Sequence, residues 1–374
     1  MIVRKIFYIV NVDWFFISHR LPLAVNAINE GYEVYLLTAD TGKKLELESL
    51  GIHFIDIPFK RSGTNPIHEL KCIYLLWRNI KDIKPDVIHN ITLKAALLAS
   101  LASKFAGNKN VINAISGFGY NFTDNRRGIL QKIVKLLIRL VFRSSTFSFI
   151  LQNPDDVNLM LKLNLVEKNR LYLIKGSGVD LNQFCFQTLP IHSKLRILFP
   201  ARILVDKGIC ELLEAANLIK NEFQDRIEFI LAGDCDKENL AVFPEAELRR
   251  HLIPNYITWL GFQKEMYSLY VNSDIVVLPS YREGLPKSLI EACAVGRPII
   301  TTDVPGCREC VIQNYNGILV PVKDTLSLAN AIKELVNDFN KRIKYGKNSR
   351  LLAEKEFSIE NVINKTFKIY QTYF

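Results

Sequence analysis

Two carboxylates, Glu283 and Glu291, are separated by seven residues in the stretch Arg282-Glu-Gly-Leu-Pro-Lys-Ser-Leu-Ile-Glu291. Short apolar runs at 274–279 and 298–302 flank them, and runs rich in β-branched residues read as buried parallel strands. Between the runs the sequence predicts a helix. Pro286 suits its first turn, Leu289, Ile290 and Cys293 form an apolar stripe, and Gly296 and Pro298 end it. A turn carrying Glu283-Gly284-Leu285 into a helix start offers backbone N–H groups and the positive end of a dipole, which suit phosphate. If the segment were helical throughout, the two carboxylates would lie roughly 12 Å apart along the axis, about the reach from the sugar to the ribose of a nucleotide sugar. The same letters also describe a surface turn with ordinary acidic residues, so their company has to decide.

That company is cationic. Arg202 and Lys207-Gly208 follow the apolar run 195–199, just past the C-end of the strand it predicts. Two cations at the mouth of a parallel sheet favour a polyanion such as a diphosphate. No metal and no cofactor is expected. Asp234-Cys-Asp236 is a D-x-D only by its letters, in a loop past a strand. Cys307-Arg-Glu-Cys310 has no second pair and no nearby His.

The elements that must position these residues alternate along the chain. Strands are expected at 2–11, 33–38, 52–57, 86–90, 111–115 and 148–151. Between them come helices at 18–31, with Ser18 as N-cap, at 68–83 and at 93–105. Asn153 caps a further helix, and 171–174 is a further strand. A second series begins at 195–199 and continues with strands at 227–231, 257–260 and 317–320. Its helices are expected at 208–222, 264–272, 326–339 and 359–373. This plan predicts two α/β halves, each a doubly wound parallel sheet, with functional residues past the strand C-ends. In the first half those are Asp13, Ser18, His19, Arg20, His89, Asn90, Ser116 and Gly117. The first turn, Val12-Asp-Trp-Phe-Phe-Ile-Ser-His-Arg20, holds no glycine, which excludes a G-x-G-x-x-G dinucleotide site there.

The 374 residues are 49% hydrophobic with a net charge of +10, a globular composition with room for two cores. Seven scattered cysteines fit a reducing compartment. No apolar run spans a membrane, and the N-terminal run, broken by Asn11 and Asp13, reads as a strand rather than a signal peptide. A cytoplasmic protein is expected. The charge is concentrated at 126–143, where Lys132, Lys135, Arg139 and Arg143 share one face of an apolar helix. Such a helix can lie on an anionic lipid surface. The expected location is therefore peripheral, on the inner face of the cell membrane. Nucleic acid is excluded as a partner, because no aromatic platform accompanies the charge.

With these residues in place, the second half resembles the retaining GT-B glycosyltransferases of family four. The matching residues are Arg202, Lys207-Gly208, Gly233-Asp234, Leu260-Gly261, Pro279-Ser280, Glu283-x7-Glu291, Gly296-Arg-Pro298 and Gly317. The first half resembles a subgroup acting on polyprenyl-diphosphate-linked sugars in surface polysaccharide assembly. Its matches are Phe16-Ile-Ser-His-Arg-Leu-Pro-Leu23, Ser116-Gly-Phe-Gly-Tyr120, Gln152-Asn-Pro-Asp-Asp156 and Gly176-Ser-Gly-Val-Asp180, and Thr302-Asp-Val-Pro-Gly-Cys307 fits the same subgroup. Two departures stand out: Phe15-Phe16-Ile17 replaces the glycine pair many members carry, and Ala114-Ile-Ser-Gly-Phe118 lacks their His.

The resemblance implies two Rossmann-like domains facing a cleft, 1–187 for the acceptor and 188–357 for the nucleotide sugar. The helix 358–374 would return to the first domain. It implies a UDP-sugar donor and a polyprenyl-diphosphate-linked acceptor. Glu283, Arg202 and Lys207 would be catalytic. Gly208, Gly233, Gly284, Leu285, Pro286 and Glu291 would bind donor, and Ser18, His19, Arg20, His89, Ser116, Gly117 and Tyr120 would serve the acceptor side. The rivals are a nucleotide-sugar epimerase on this fold and a non-catalytic membrane-bound scaffold.

Overall fold

The computed structural model describes residues 3–60, 65–118, 129–143, 147–236, 239 and 241–374, with 129–135 as backbone. The chain divides into two compact units, residues 1–177 with 362–374, and residues 178–361. The division falls earlier than 187/188 because Val179 N–H donates to Phe357 O (2.9 Å) and Gln187 N–H to Val295 O (3.1 Å), tying this stretch to the second unit.

The first unit runs β1 (Lys5–Val12), α1 (Asp13–Asn29), β2 (Glu33–Ala39), α2 (Lys44–Glu48), β3 (His53–Asp56), α3 (Pro66–Ile83), β4 (Val87–Ile91) and α4 (Leu93–Ala106). It continues with β5 (Val111–Ile115), α5 (Ile129–Arg143), β6 (Ser148–Leu151), α6 (Pro154–Lys162) and β7 (Leu171–Leu173). The strands form a parallel sheet in the order β3-β2-β1-β4-β5-β6-β7. Both faces are covered, so alternate residues of each strand enter different cores. Phe7, Ile9, Ile88 and Phe149 pack under α3, α4 and α5. Ile6, Tyr8, Val10 and Ile150 pack under α1 on the other face.

The cap expected from the sequence holds at α6, where Asn153 accepts from Asp156 N–H (2.8 Å); α3 has one that was not expected, Asn65 accepting from Ile67 N–H (3.0 Å). The expected cap fails at α1. The helix begins at Asp13, directly off β1, so Ser18 lies inside it and is not its N-cap. The buried Asp13 carboxylate accepts from Thr41 N–H (2.6 Å) and Thr41 Oγ1 (2.5 Å), which fastens the helix start to the turn after β2.

The second unit runs β8 (Leu195–Phe199), α7 (Ile209–Phe223), β9 (Ile227–Ala232), α8 (Glu245–His251), β10 (Ile257–Gly261), α9 (Met266–Val271) and β11 (Ile275–Leu278). Then come α10 (Lys287–Val295), β12 (Ile299–Thr302), β13 (Gly317–Val320), α11 (Thr325–Asn337) and α12 (Phe339–Leu352). A π-helical turn, Ala353–Phe357, leads to α13 (Ile359–Gln371). Its sheet is also parallel, in the order β10-β9-β8-β11-β12-β13. The chain reverses direction of winding between β8 and β11, and open α/β sheets bind ligands outside the strand C-ends at such a point. The end of α13 belongs to the first unit, where Val362, Ile369 and Tyr370 complete the core under α1. Among the described residues, no helix is long and apolar enough to cross a membrane.

Candidate active site

The loops after β8 and β11 meet at the reversal point. The first carries Arg202 and a 3₁₀ turn, Val205–Lys207, that ends on Gly208. The second carries Ser280 and Glu283. Lys207 Nζ is hydrogen-bonded and ion-paired to Glu283 Oε1, with both side chains less than one-fifth exposed. Ser280 Oγ donates to the same oxygen (2.7 Å). Tyr281 N–H donates to Asp206 O (2.9 Å), closing one loop on the other. Burial pushes the neighbouring Asp206 carboxyl above its ordinary value, and Glu283 adds to that while Lys207 opposes it. Arg202 Nη1 donates to Asp236 Oδ2 (2.5 Å) and its side chain is 44% exposed. The D-x-D letters thus include a partner of Arg202.

Glycines let these backbones approach. At Gly208, with φ +76°, a Cβ would lie 2.1 Å from Pro279 O, so β8 and β11 loops close only without a side chain there. Gly233 follows β9 and lies against Ala201, where a Cβ would stand 1.9 Å from the carbonyl oxygen.

Glu283 and Glu291 are not on one helix. Pro286 is the extended cap residue (φ −71°, ψ 117°) and α10 starts at Lys287, so Glu283-Gly284-Leu285 form the loop ahead of it. The helical 12 Å separation therefore does not apply. Pro286 holds the residue before it out of the helical region, which is why the turn stays open. Glu291 lies in the middle of α10, buried, with Oε1 3.4 Å from Lys287 Nζ and Oε2 accepting from Tyr270 Oη (3.1 Å). Burial pushes its carboxyl up against the pull of Lys287.

Further residues support the Glu283 loop. Gly306, at φ +83°, lies under the Glu283 carbonyl, where a Cβ would be 2.5 Å away, and Pro305 O accepts from Glu283 N–H (3.1 Å). Thr302 Oγ1 donates to Ser280 O. Tyr281 Oη donates to Glu211 (2.7 Å), and Lys323 stands over the Tyr281 ring (4.7 Å). Thr302 and Gly306 belong to the run Thr302-Asp-Val-Pro-Gly-Cys307 that resembles the subgroup, whereas the tyrosine contacts had no signal in the sequence.

The first unit scatters its expected residues. Ser18 and His19 lie within α1; the His19 ring stacks on Phe15 (4.0 Å, 8°) and its Nδ1 is 3.2 Å from Phe15 O. Arg20 and His89 are buried, 6% and 1% exposed, in a polar cluster with Tyr8 and Tyr370. His89 Nδ1 pairs with Tyr370 Oη (2.6 Å), which also donates to Tyr8 Oη (3.1 Å). This burial ties Arg20 and His89 to the C-terminal helix rather than to solvent. Ser116 is exposed just past β5, and Gly117 follows at φ +65°. Tyr120 lies outside the described residues. On α5, Arg139 and Arg143 are exposed, whereas the side chains of Lys132 and Lys135 lie outside the description.

Two parallel-sheet units of this strand order, with a basic-acidic pair at the reversal point of the second, define the GT-B class of glycosyltransferase fold. The sequence families agree: "Glycosyl transferase 4-like" matches residues 5–153 and "Glycosyl transferases group 1" matches residues 183–352. The chain thus carries a glycosyl transferase 4-like domain in its first part and a glycosyl transferases group 1 domain in its second. It is 28% identical over 345 residues to the N,N'-diacetylbacillosaminyl-diphospho-undecaprenol alpha-1,3-N-acetylgalactosaminyltransferase of Campylobacter jejuni, covering 88% of this chain and 89% of that one. It is 24% identical to the UDP-Gal:alpha-D-GlcNAc-diphosphoundecaprenol alpha-1,3-galactosyltransferase of Escherichia coli, over 91% of this chain and 89% of the relative. The fold matches an Anabaena protein solved in complex with UDP and glucose, with a TM-score of 0.78 at 17% identity, over 99% of this chain and 100% of that one.

Proposed function

We propose that this glycosyltransferase moves a hexose or N-acetylhexosamine from a UDP-sugar to a polyprenyl-diphosphate-linked saccharide in surface polysaccharide assembly, retaining the anomeric configuration. The observation that carries the donor side is the Lys207–Glu283 pair at the reversal point, with Arg202 on the same sheet edge. Breaking the sugar–phosphate bond builds negative charge on the departing diphosphate. Lys207, Arg202 and the backbone N–H groups leading into α10 are the preorganised donors that can take it up. Glu283, held by Lys207 and Ser280, accepts from sugar hydroxyls, and Glu291 from ribose hydroxyls. The departing phosphate takes the proton of the attacking acceptor hydroxyl on the same face. The named activities of the two bacterial relatives support the acceptor class, and the UDP complex of the Anabaena protein supports the donor class.

The acceptor's lipid requires a membrane surface. On α5, Leu136, Leu137 and Leu140 are 57%, 43% and 60% exposed beside the exposed Arg139 and Arg143, a basic and apolar face suited to anionic lipid at the cytoplasmic side of the membrane.

The test is incubation of the purified protein with a panel of UDP-sugars and short polyprenyl-diphosphate-linked acceptors, beside Glu283→Ala. The expected result is an acceptor heavier by one sugar, made by the unsubstituted protein alone. An epimerised nucleotide sugar without acceptor would instead identify an epimerase, and no turnover with any pair would favour a binding scaffold.

A further inference from the structure

Helices α3, α4 and α5 all bury side chains against the same face of the seven-stranded sheet. Cys72, Leu76 and Ile80 of α3, Ala95 and Ala99 of α4, and Ile138 and Phe142 of α5 belong to one core. Helix α4 packs against both of the others. Their outward faces therefore lie on one side of the unit. That side is unusually apolar for a solvent-facing layer. On α3, Ile67, Leu70 and Tyr74 are 79%, 64% and 55% exposed, and their spacing puts them on one stripe. Trp77 continues the stripe with its ring 5.7 Å from Tyr74, and Lys81 Nζ stands 5.2 Å over it. Phe105 at the end of α4 is 68% exposed, and the three leucines of α5 complete the layer.

The layer is also strongly basic. The three helices hold nine Lys or Arg residues against two acids, Glu69 and Asp82. Both acids are ion-paired within the layer, Glu69 to Lys94 (2.7 Å) and Asp82 to Arg78 (3.6 Å). A second copy of this chain would bring the same excess of cations to the contact, and like charges repel. Aromatic and aliphatic side chains flanked by Lys and Arg suit the boundary between headgroups and acyl chains, where the cations meet anionic headgroups and the rings enter the apolar zone.

We infer that α3 is a second lipid-contact element, and that the surface of the first unit facing an anionic bilayer is the whole outer face of the α3–α4–α5 layer. This extends the contact proposed for α5 and rests on the reading that the chain works at a membrane. The test is flotation of the full chain with vesicles of phosphatidylglycerol and phosphatidylcholine, or of phosphatidylcholine alone. The variants are Ile67→Ser/Leu70→Ser/Tyr74→Ser on α3 and Leu136→Ser/Leu137→Ser/Leu140→Ser on α5.

Each triple variant is expected to partition about tenfold less onto the anionic vesicles than the unsubstituted chain, and the combined variant less than either. Transfer to a short, water-soluble acceptor should stay unchanged in the α3 variant, since these side chains are exposed and lie outside the donor-site unit. If the α3 variant floats like the unsubstituted chain while the α5 variant does not, the inference about α3 is overturned and the α5 contact stands. If the unsubstituted chain does not float, both fail. If the α3 substitutions abolish self-association in sedimentation without changing flotation, the face is an interface between copies and the inference is overturned.

Discussion

Lys207 and Glu283 are 76 residues apart in the chain and meet because β8 and β11 are neighbours in the sheet. The same closeness makes Gly208 intolerant of a side chain. Gly208→Ala places a methyl 2.1 Å from Pro279 O at a positive φ, and is expected to lower stability by about 1–3 kcal/mol, read by urea denaturation. His89 makes a second residue-scale prediction. Burial and the neighbouring Arg20 hold its imidazole well below its ordinary value, so it is neutral in the folded chain. The unfolded chain takes up a proton as pH falls below about 6.5, and the folded chain does not until much lower pH. Unfolding is therefore favoured on acidification through that window, by up to about 1.4 kcal/mol per pH unit from this residue. Denaturation midpoints at pH 7 and pH 5 should differ less in His89→Gln than in the unsubstituted protein; an equal difference would contradict the assignment.

At the scale of elements, Tyr370 holds the end of α13 to β1 and β4 through Tyr8 and His89. Tyr370→Phe removes that hydroxyl from a buried site and leaves His89 Nδ1 without it. The expected loss is about 1–3 kcal/mol in chemical denaturation. Helix α5 makes a different prediction. Replacing Lys132, Lys135, Arg139 and Arg143 by Gln should weaken binding to anionic vesicles without lowering the melting temperature, because the described members of that face are solvent-exposed.

Elements with a strong apolar period were legible. The expected bounds of β5, β6, β8 and β13 coincide with those observed, and apolar runs between turn residues are the reason. Helix α12 was not legible, because Arg342, Gly346 and Ser349 interrupt the buried side that Tyr345 and Leu352 share. Arg342 reaches into the protein to donate to Leu335 O (2.6 Å) and Val336 O (2.9 Å), taking up the last carbonyls of α11, while Gly346 packs against Gly296 O. Two apolar residues among three polar or small ones make too weak a period to read. Arg202, Lys207 and Glu283, proposed for the donor, were readable because each lies on a loop that follows a strand, whereas Glu291 sits inside α10. The burial of Arg20 and His89 was not, since their lid, Tyr370, arrives 281 residues after His89.

Over the whole molecule, each sheet follows the same winding, and chemistry and charge are divided between the units. The second holds the Lys207–Glu283 ion pair at its reversal point, and the first holds the basic, apolar helical layer. With a net charge of +10, membrane binding should fall as salt rises from about 50 mM to about 500 mM, and a residual salt-resistant part should report the inserted apolar side chains.

The central claim is that Lys207, held in place by Glu283, takes up the charge of the donor diphosphate. Calorimetric titration of UDP and of uridine into the full chain and into Lys207→Ala tests it most directly. The account predicts that the unsubstituted protein binds UDP, and that Lys207→Ala weakens UDP at least about tenfold while changing uridine little. Equal affinity for UDP in the two proteins would contradict it.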